Sequence, residues 1–351
     1  MSSKTHDLCE VLECEVLEPR GDYGAGEVPL PLEYRNARRS PIRWKQLLPL
    51  ALAVISIAIA VGTARASISR DDRGLASAQE RRFDLPAPLG PGGHVVIIVV
   101  DGLRADLISA EGSPTLARLA SEGTASLEAQ TVRPSVTLPA ITSILTGLHP
   151  RDHGVIWNDY EPDERVVPAT TIFDVAHDAG LGTAFFSGKV KLRHLARPSS
   201  LDSLTARFLP DASIVILART YLVEQQPNLM FVHLPNIDRA GHEFGWKHAR
   251  QREALQSTDI AIASLIAVIE SEELRGPARV IVTADHGGEG RNHQSVRRAN
   301  LTVPWILWGA GVTPTRLPRV STTITAAVAL RSLGLDVPTG MEPVPGQEAP
   351  R

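Results

Sequence analysis

The chain has 351 residues, with 36 Lys and Arg against 39 Asp and Glu, a formal net charge of −3, and 43% of its residues are hydrophobic. That balance excludes a wholly disordered protein, and the lack of a basic excess removes the electrostatic footprint of a dedicated nucleic-acid-binding domain. Cys9 and Cys14, its only two cysteines, precede the one long apolar run, so neither a disulfide framework nor a thiolate metal site can hold the main body together.

Residues 1–33 hold eight acidic side chains and two basic ones with no sustained periodicity, which reads as an acidic, disordered tail. Arg35, Arg38, Arg39, Arg43 and Lys45 then reverse the sign, so 1–45 is expected to be a cytoplasmic tail, acidic and then basic. Residues 47–64 (LLPLALAVISIAIAVGTA) carry no charge. As a helix at about 1.5 Å per residue this run spans about 27 Å, against about 30 Å for a hydrocarbon core. Segment 46–66 therefore reads as a transmembrane anchor, with a signal peptide cleaved near Ala66 as the alternative and a buried soluble helix as the third reading. Either membrane reading keeps the basic cluster in the cytoplasm and sends everything after Ala66 across, to the periplasm if the source is a bacterium. The stretch 67–93, with Pro86, Pro88, Gly90, Pro91, Gly92 and Gly93, reads as a linker.

Within 94–337, short apolar runs alternate with helical patterns, which predicts an α/β domain with a largely parallel central sheet and helices on both faces. Residues 94–100 (HVVIIVV) form a buried strand. Ser113-Pro114 starts a helix in cap-then-proline fashion and Gly123 stops it. Thr137 and Pro139 start another, ended by Gly147. Residues 174–179 lie in a helix closed by Gly180, and strands follow near 183–186, at 229–234, 280–283 and 303–308, with a helix at 252–269 between them. The Pro-rich stretch 338–351 reads as an unstructured tail. No internal repeat is visible.

Ionisable side chains gather just after the carboxyl ends of these strands: Asp101 after the first, Asp238 and His242 after LMFVHL, Asp285 and His286 after VIVTA, and His293 shortly beyond. Ligands of open α/β sheets bind outside those strand ends, so these side chains can converge. An oxygen and nitrogen donor set without thiolates suits zinc, manganese or iron. Each piece alone has a plainer reading. Asp101-Gly102 is a common turn, Asp238 and His242 at i, i+4 could be a surface pair, and a lone His293 could be a surface histidine. Their joint occurrence at strand ends favours a metal site, as does RPSVTLPAITSILTG, which sets the Thr137 hydroxyl at a helix amino terminus where amides and dipole favour an anion.

The set VVDGLRAD, RPSVTLPAITSILTGLHPRDHG, NIDRAGHEFG and TADHGGEGRNH resembles the alkaline phosphatase superfamily over about 94–338, and most of all its type I phosphodiesterase/nucleotide pyrophosphatase branch. The resemblance implies two zinc ions, one held by Asp101, Thr137, Asp285 and His286 and the other by Asp238, His242 and His293. It further implies Thr137 as the nucleophile of a phosphothreonine route, with Asn158 and backbone amides near Thr137 holding phosphate oxygens. Two metals about 4 Å apart can clamp the attacking and leaving oxygens of an in-line displacement. Type I sulfatases need Cys or Ser where Thr137 stands and Arg where Ile141 stands, which argues against sulfate esters. Related monoesterases add an arginine clamp; Arg133 and Lys189 are the candidates here, each more simply a surface residue. His293 follows His286 after seven residues, a compact spacing that counts against a nucleotide substrate. The expected activity is therefore membrane-anchored, extracytoplasmic hydrolysis of a small-molecule or lipid phosphate ester. Transfer of a headgroup such as phosphoethanolamine is the alternative within enzymology, and a non-catalytic anchored binding module the alternative outside it. Substrate selection would fall to loops such as 189–207 and 246–252.

Overall fold

A computed structural model describes residues 83–160 and 166–346. The tail and membrane segment expected within 1–66 lie outside the described residues. No helix among the described residues is long and apolar enough to cross a membrane.

The described residues build one mixed sheet of eight strands, β1 (His94–Val100), β2 (Thr124–Gln130), β3 (Thr183–Ser187), β4 (Ser203–Ala206), β5 (Leu229–Leu234), β6 (Ala278–Thr283), β7 (Thr302–Gly309) and β8 (Thr315–Arg316), in the order β4-β3-β5-β1-β6-β7-β2-β8. Strands β4, β3, β5, β1 and β6 are mutually parallel. β7 runs antiparallel to both β6 and β2, while β8 runs parallel to β2. The parallel expectation thus fails at β7 alone. The connection from β6 holds only the loop from Asp285 onward and one short helix, so the chain re-enters the sheet from the end it has just left. β1 explains the strand reading of HVVIIVV: all seven residues are buried, as a parallel strand covered on both faces requires.

The helices are α1 (Pro114–Glu122), α2 (Thr137–Thr146), α3 (Pro150–His153), α4 (Ile172–Asp178), α5 (Asp211–Gln225), α6 (Asn236–Phe244), α7 (Ala249–Ile269), α8 (Arg298–Leu301) and α9 (Ile324–Ser332). One group packs α1, α5 and α6 around α7, and a second packs α2, α4 and α9 together, so the two faces of the sheet are covered separately. Two helix starts differ from the sequence reading. Ser113 makes no side-chain cap; Asp259 of α7 instead accepts from the N–H groups of Thr115 and Leu116, both at 2.9 Å. Thr137 is the first residue inside α2 and Val136 is its cap, so the threonine hydroxyl is not spent on capping. Gly147 closes α2 in the left-handed conformation, as glycine at that position favours.

Packing also continues beyond 94–337. Phe83 is buried against Trp305, with ring centroids 5.6 Å apart, and Leu89 N donates to Ser332 O at 2.9 Å. Beyond Pro338, Met341 and Val344 are buried too. Prolines in these stretches deny regular structure, but the apolar side chains between them still leave water.

Candidate metal centre and nucleophile

Strands β5, β1 and β6 are adjacent, so their carboxyl ends deliver Asp238, Asp101 and Asp285 to one place. Asp101 follows β1 directly, Asp238 lies in the first turn of α6, and Asp285 sits two residues past β6. Two glycines make this convergence possible. Gly102 has φ +75°, and a Cβ there would lie 3.0 Å from Asp238 Cα; one at Gly288 would lie 2.0 Å from the Trp246 ring. Trp246 donates its indole N–H to Gly102 O at 2.9 Å and meets the His242 and His293 rings edge-on, so it braces the whole cluster. Thr137 arrives from the far side of the sheet. The segment after β2 is tied beneath the β6–β7 loop by Thr131 Oγ1 donating to Asp285 O at 2.5 Å and Ser135 Oγ donating to His293 O at 2.6 Å.

The seven residues expected to bind metal are all brought together. His286 Nε2 lies 3.4 Å from Asp101 Oδ1, 3.4 Å from Asp285 Oδ2 and 4.0 Å from Asp238 Oδ1. His242 Nε2 and His293 Nε2 lie 3.3 and 3.9 Å from Asp238 Oδ1. Thr137 Oγ1 joins them through Lys189 Nζ, which donates to it at 3.2 Å and to Asp101 Oδ2 and Asp238 Oδ2 at 2.6 and 2.7 Å.

Each imidazole is aimed by a backbone carbonyl. Nδ1 of His242 faces Arg291 O at 3.1 Å, Nδ1 of His286 faces Gly287 O at 2.9 Å and Nδ1 of His293 faces Ser135 O at 2.7 Å. A carbonyl only accepts, so each Nδ1 carries a proton, and Nε2 is the nitrogen that each ring turns into the site. His286 and His293 stack at 3.6 Å, and His242 Nε2 and His293 Nε2 stand 3.1 Å apart. Two lone pairs at that distance repel unless a cation lies between them. The carboxylates have the same incompleteness. Asp101 Oδ1, Asp238 Oδ1, Asp285 Oδ2 and His286 Nε2 are buried without any hydrogen-bond partner. Such orphaned acceptors are costly, and divalent cations would satisfy all four. The donor set of carboxylates and imidazoles therefore fits metal, and groups such as Asp238, His242 and His293 could hold an ion.

Electrostatics divide the carboxylates. Burial opposes ionisation of Asp101, but Lys189 and His233 outweigh it and hold the carboxyl well below the usual range. Burial and the Asp101 charge also oppose ionisation of Asp238, again outweighed by Lys189 and His242. Asp285 lacks such a contact, and burial plus the Asp101 charge push it up to about 6. Burial and His286 bring His293 down to about 4, which keeps it neutral for ligation.

Several participants were not legible as such. His233 lies buried in β5, and its Nε2 meets Asp101 Oδ2 at 2.9 Å while Nδ1 faces Ser187 Oγ at 3.4 Å. With both nitrogens committed it orients Asp101 rather than offering a lone pair. Lys189 is no surface residue: its side chain is 18% exposed and bound to two carboxylates, whereas Arg133 is exposed as expected. Asn158 reaches the first turn of α2, beside Thr137, but its Oδ1 accepts from Leu138 N at 2.9 Å and from Lys191 Nζ at 3.0 Å. The expectation that backbone amides near Thr137 hold phosphate oxygens narrows accordingly to one group. Leu138 N–H is taken, Pro139 has none, and Ala140 N bonds Val136 O, which leaves Thr137 N–H in that turn.

The family model for type I phosphodiesterase/nucleotide pyrophosphatase matches residues 95–301. The chain belongs to this family, a family of phosphoric ester hydrolases. An uncharacterized pyrophosphatase/phosphodiesterase of Schizosaccharomyces pombe is 26% identical over 214 residues, 55% of this chain and 44% of that protein. The chain spans less than half the length of the curated relatives it matches. Among solved structures, human ectonucleotide pyrophosphatase/phosphodiesterase 5 superposes with a TM-score of 0.61 at 14% identity, covering 70% of this chain and 96% of that one. A 2-O GAG sulfatase superposes with 0.58 at 15% identity, covering 75% and 73%. These likenesses show an alkaline phosphatase-like fold.

Proposed function

We propose that this protein is a membrane-anchored, extracytoplasmic hydrolase of phosphate esters that uses two divalent metal ions, zinc by its donor set, and a phosphothreonine at Thr137. The observation that carries the reading is the cluster beside Thr137 of buried carboxylate and imidazole atoms with no partner in the protein. Asp101, Thr137, Asp285 and His286 would hold one ion, and Asp238, His242 and His293 the other. When bound, the ions supply Lewis-acid chemistry, lowering the pKa of a hydroxyl and of water and stabilising charge on a departing oxygen.

The chain's own groups do the rest. Thr137 Oγ attacks phosphorus, its proton passing to solvent, as the ester oxygen leaves with its bonding pair and takes up a proton from solvent, giving a phosphothreonine and an alcohol. Lys189 is not the base. Burial opposes its charge, but Asp101, Asp238 and Asp285 outweigh that and keep it an ammonium. It instead donates to Thr137 Oγ1 at 3.2 Å and stabilises the oxygen as its proton departs. Asn158, its Oδ1 occupied, turns its Nδ2 hydrogens to a phosphoryl oxygen alongside Thr137 N–H. Water then attacks phosphorus, breaks the bond to Thr137 Oγ and restores the hydroxyl. Replacing Thr137→Ala should lower kcat/KM on p-nitrophenyl phosphate esters by at least about 10³-fold with divalent metal still bound, and Thr137→Ser should keep a measurable fraction. Full activity in Thr137→Ala, or a wild type that binds no divalent ion, contradicts the reading.

The topology rests on the uncharged run at 47–64 behind Arg35, Arg38, Arg39, Arg43 and Lys45. Protease added outside intact cells or spheroplasts should remove a carboxyl-terminal epitope and spare an amino-terminal one. Protection of the carboxyl-terminal epitope rejects this topology.

A further inference from the structure

Lys189 and Lys191 leave the end of β3 on one short segment, Lys191 within the 3₁₀ turn Val190–Leu195. Lys189 Nζ donates to Thr137 Oγ1 at 3.2 Å, and Lys191 Nζ donates to Asn158 Oδ1 at 3.0 Å. Their charges are not equivalent. Asp101 and Asp238 match Lys189 at 2.6 and 2.7 Å. Lys191 makes no ion pair among the described residues, although it is part-buried and its named partner is a neutral amide oxygen. Burial and the neighbouring Lys189 ammonium disfavour its charge by more than the Asp101, Asp285 and Asp238 carboxylates, none of them in contact with it, favour it. An ammonium has three N–H donors, Asn158 uses one, and what the remaining donors lack is an anion.

A diester brings one negative charge to the reacting phosphorus, and Asn158 and Thr137 N–H can serve its non-bridging oxygens. A monoester brings a third terminal oxygen and a second charge at neutral pH. Lys191 is anchored to the same Asn158 oxygen that ties to the nucleophile's helix, so its spare charge lies beside the place where that oxygen must go. We propose that Lys191 receives this second charge and that the preferred substrate carries a dianionic terminal phosphoryl group, as in a phosphomonoester. The proposal rests on the phosphate-ester hydrolase reading above and names its substrate class.

The test compares zinc-loaded full-length wild type with Lys191→Met, Lys191→Arg and Asn158→Ala on p-nitrophenyl phosphate and bis-p-nitrophenyl phosphate. Lys191→Met should lose at least ten-fold more kcat/KM on the monoester than on the diester, and Lys191→Arg should recover most of that difference. A lysine that merely positions Asn158 gives an equal loss on both esters, as Asn158→Ala does; that result, or no loss at all, overturns the proposal. Calorimetry with inorganic phosphate separates this failure from failure of the hydrolase reading. Even if wild type turns over neither ester, phosphate bound at least ten-fold more weakly by Lys191→Met supports the lysine's role. Equal affinity refutes it.

Discussion

Carbonyl groups, not other site residues, fix the tautomers of His242, His286 and His293, and that choice decides what the site can bind. Each ring donates Nδ1–H to the backbone and turns Nε2 toward the site, so the protein has already spent the order a metal-binding histidine would need. The same logic separates candidate ligands from supports. Asp101 turns Oδ2 to His233 and Lys189 and leaves Oδ1 unpartnered, and Asp238 gives Oδ2 to Lys189 and leaves Oδ1 unpartnered. The residues that converge were readable because each follows a strand end, where side chains meet whatever the loops do. His233 was hidden by its neighbours, a single polar residue in LMFVHL, although an imidazole in a fully buried strand already demands partners. Lys189 obeys the strand-end rule too, two residues past β3, but the sequence offered it only as a candidate clamp, because a lysine has no metal-ligand role that would set it between Asp101 and Asp238. Trp246 and Lys191 act through contacts distant in sequence, and no local pattern announces those.

At the scale of elements, α6 must be held firmly because it carries Asp238 and His242 on one face. Asp211, the first residue of α5, does this. Its Oδ1 accepts from Asn236 N, at the start of α6, at 3.0 Å, and its Oδ2 accepts from Thr258 Oγ1 of α7 at 2.5 Å. Burial pushes this carboxyl up to about 6, only partly offset by Thr258 and the Asn236 amide. Unfolded Asp titrates near 3.8. Between about pH 4 and 6 the folded state therefore keeps a proton that the unfolded state releases, and stability falls as pH rises through that window. Asp211→Asn preserves the shape and can still accept from Asn236 N while donating to Thr258. It should flatten the window and, above pH 6, be more stable than wild type by about 1–3 kcal/mol, at about 1.4 kcal/mol per pH unit. Urea midpoints from pH 4 to 8 measure this, and a wild-type-minus-variant difference that ignores pH removes the carboxylate tether from the account. Element existence was legible where one pattern dominated, as in β1 and α7. β2 was not, because TASLEAQ is polar and gains its strand from pairing with β7 and β8.

Over the molecule as a whole, the near-neutral net charge conceals three buried carboxylates at one end of the sheet, where Lys189 is the one lysine or arginine among the described residues in direct contact with them. Without further positive charge, folding must hold Asp101, Asp238 and Asp285 together against their mutual repulsion, and Asp285 yields by taking up a proton near pH 6. Divalent ions bound only by the folded state would relieve that cost and stabilise by mass action. Free zinc at a hundred times its Kd is worth about 2.7 kcal/mol per site. In a domain of about 250 residues, each kcal/mol moves Tm by about 2–4 °C. Chelation should therefore lower Tm by about 5–11 °C for each ion lost, about 11–22 °C for both, and zinc returned to that free concentration should restore it. The same titration on a His242→Ala, His293→Ala double variant separates site binding from adventitious metal, since with one of the two sites disabled its Tm should respond to zinc about half as much. Equal zinc responses in wild type and the double variant would place the stabilising ion elsewhere and leave the orphaned oxygens of this centre without a counter-charge.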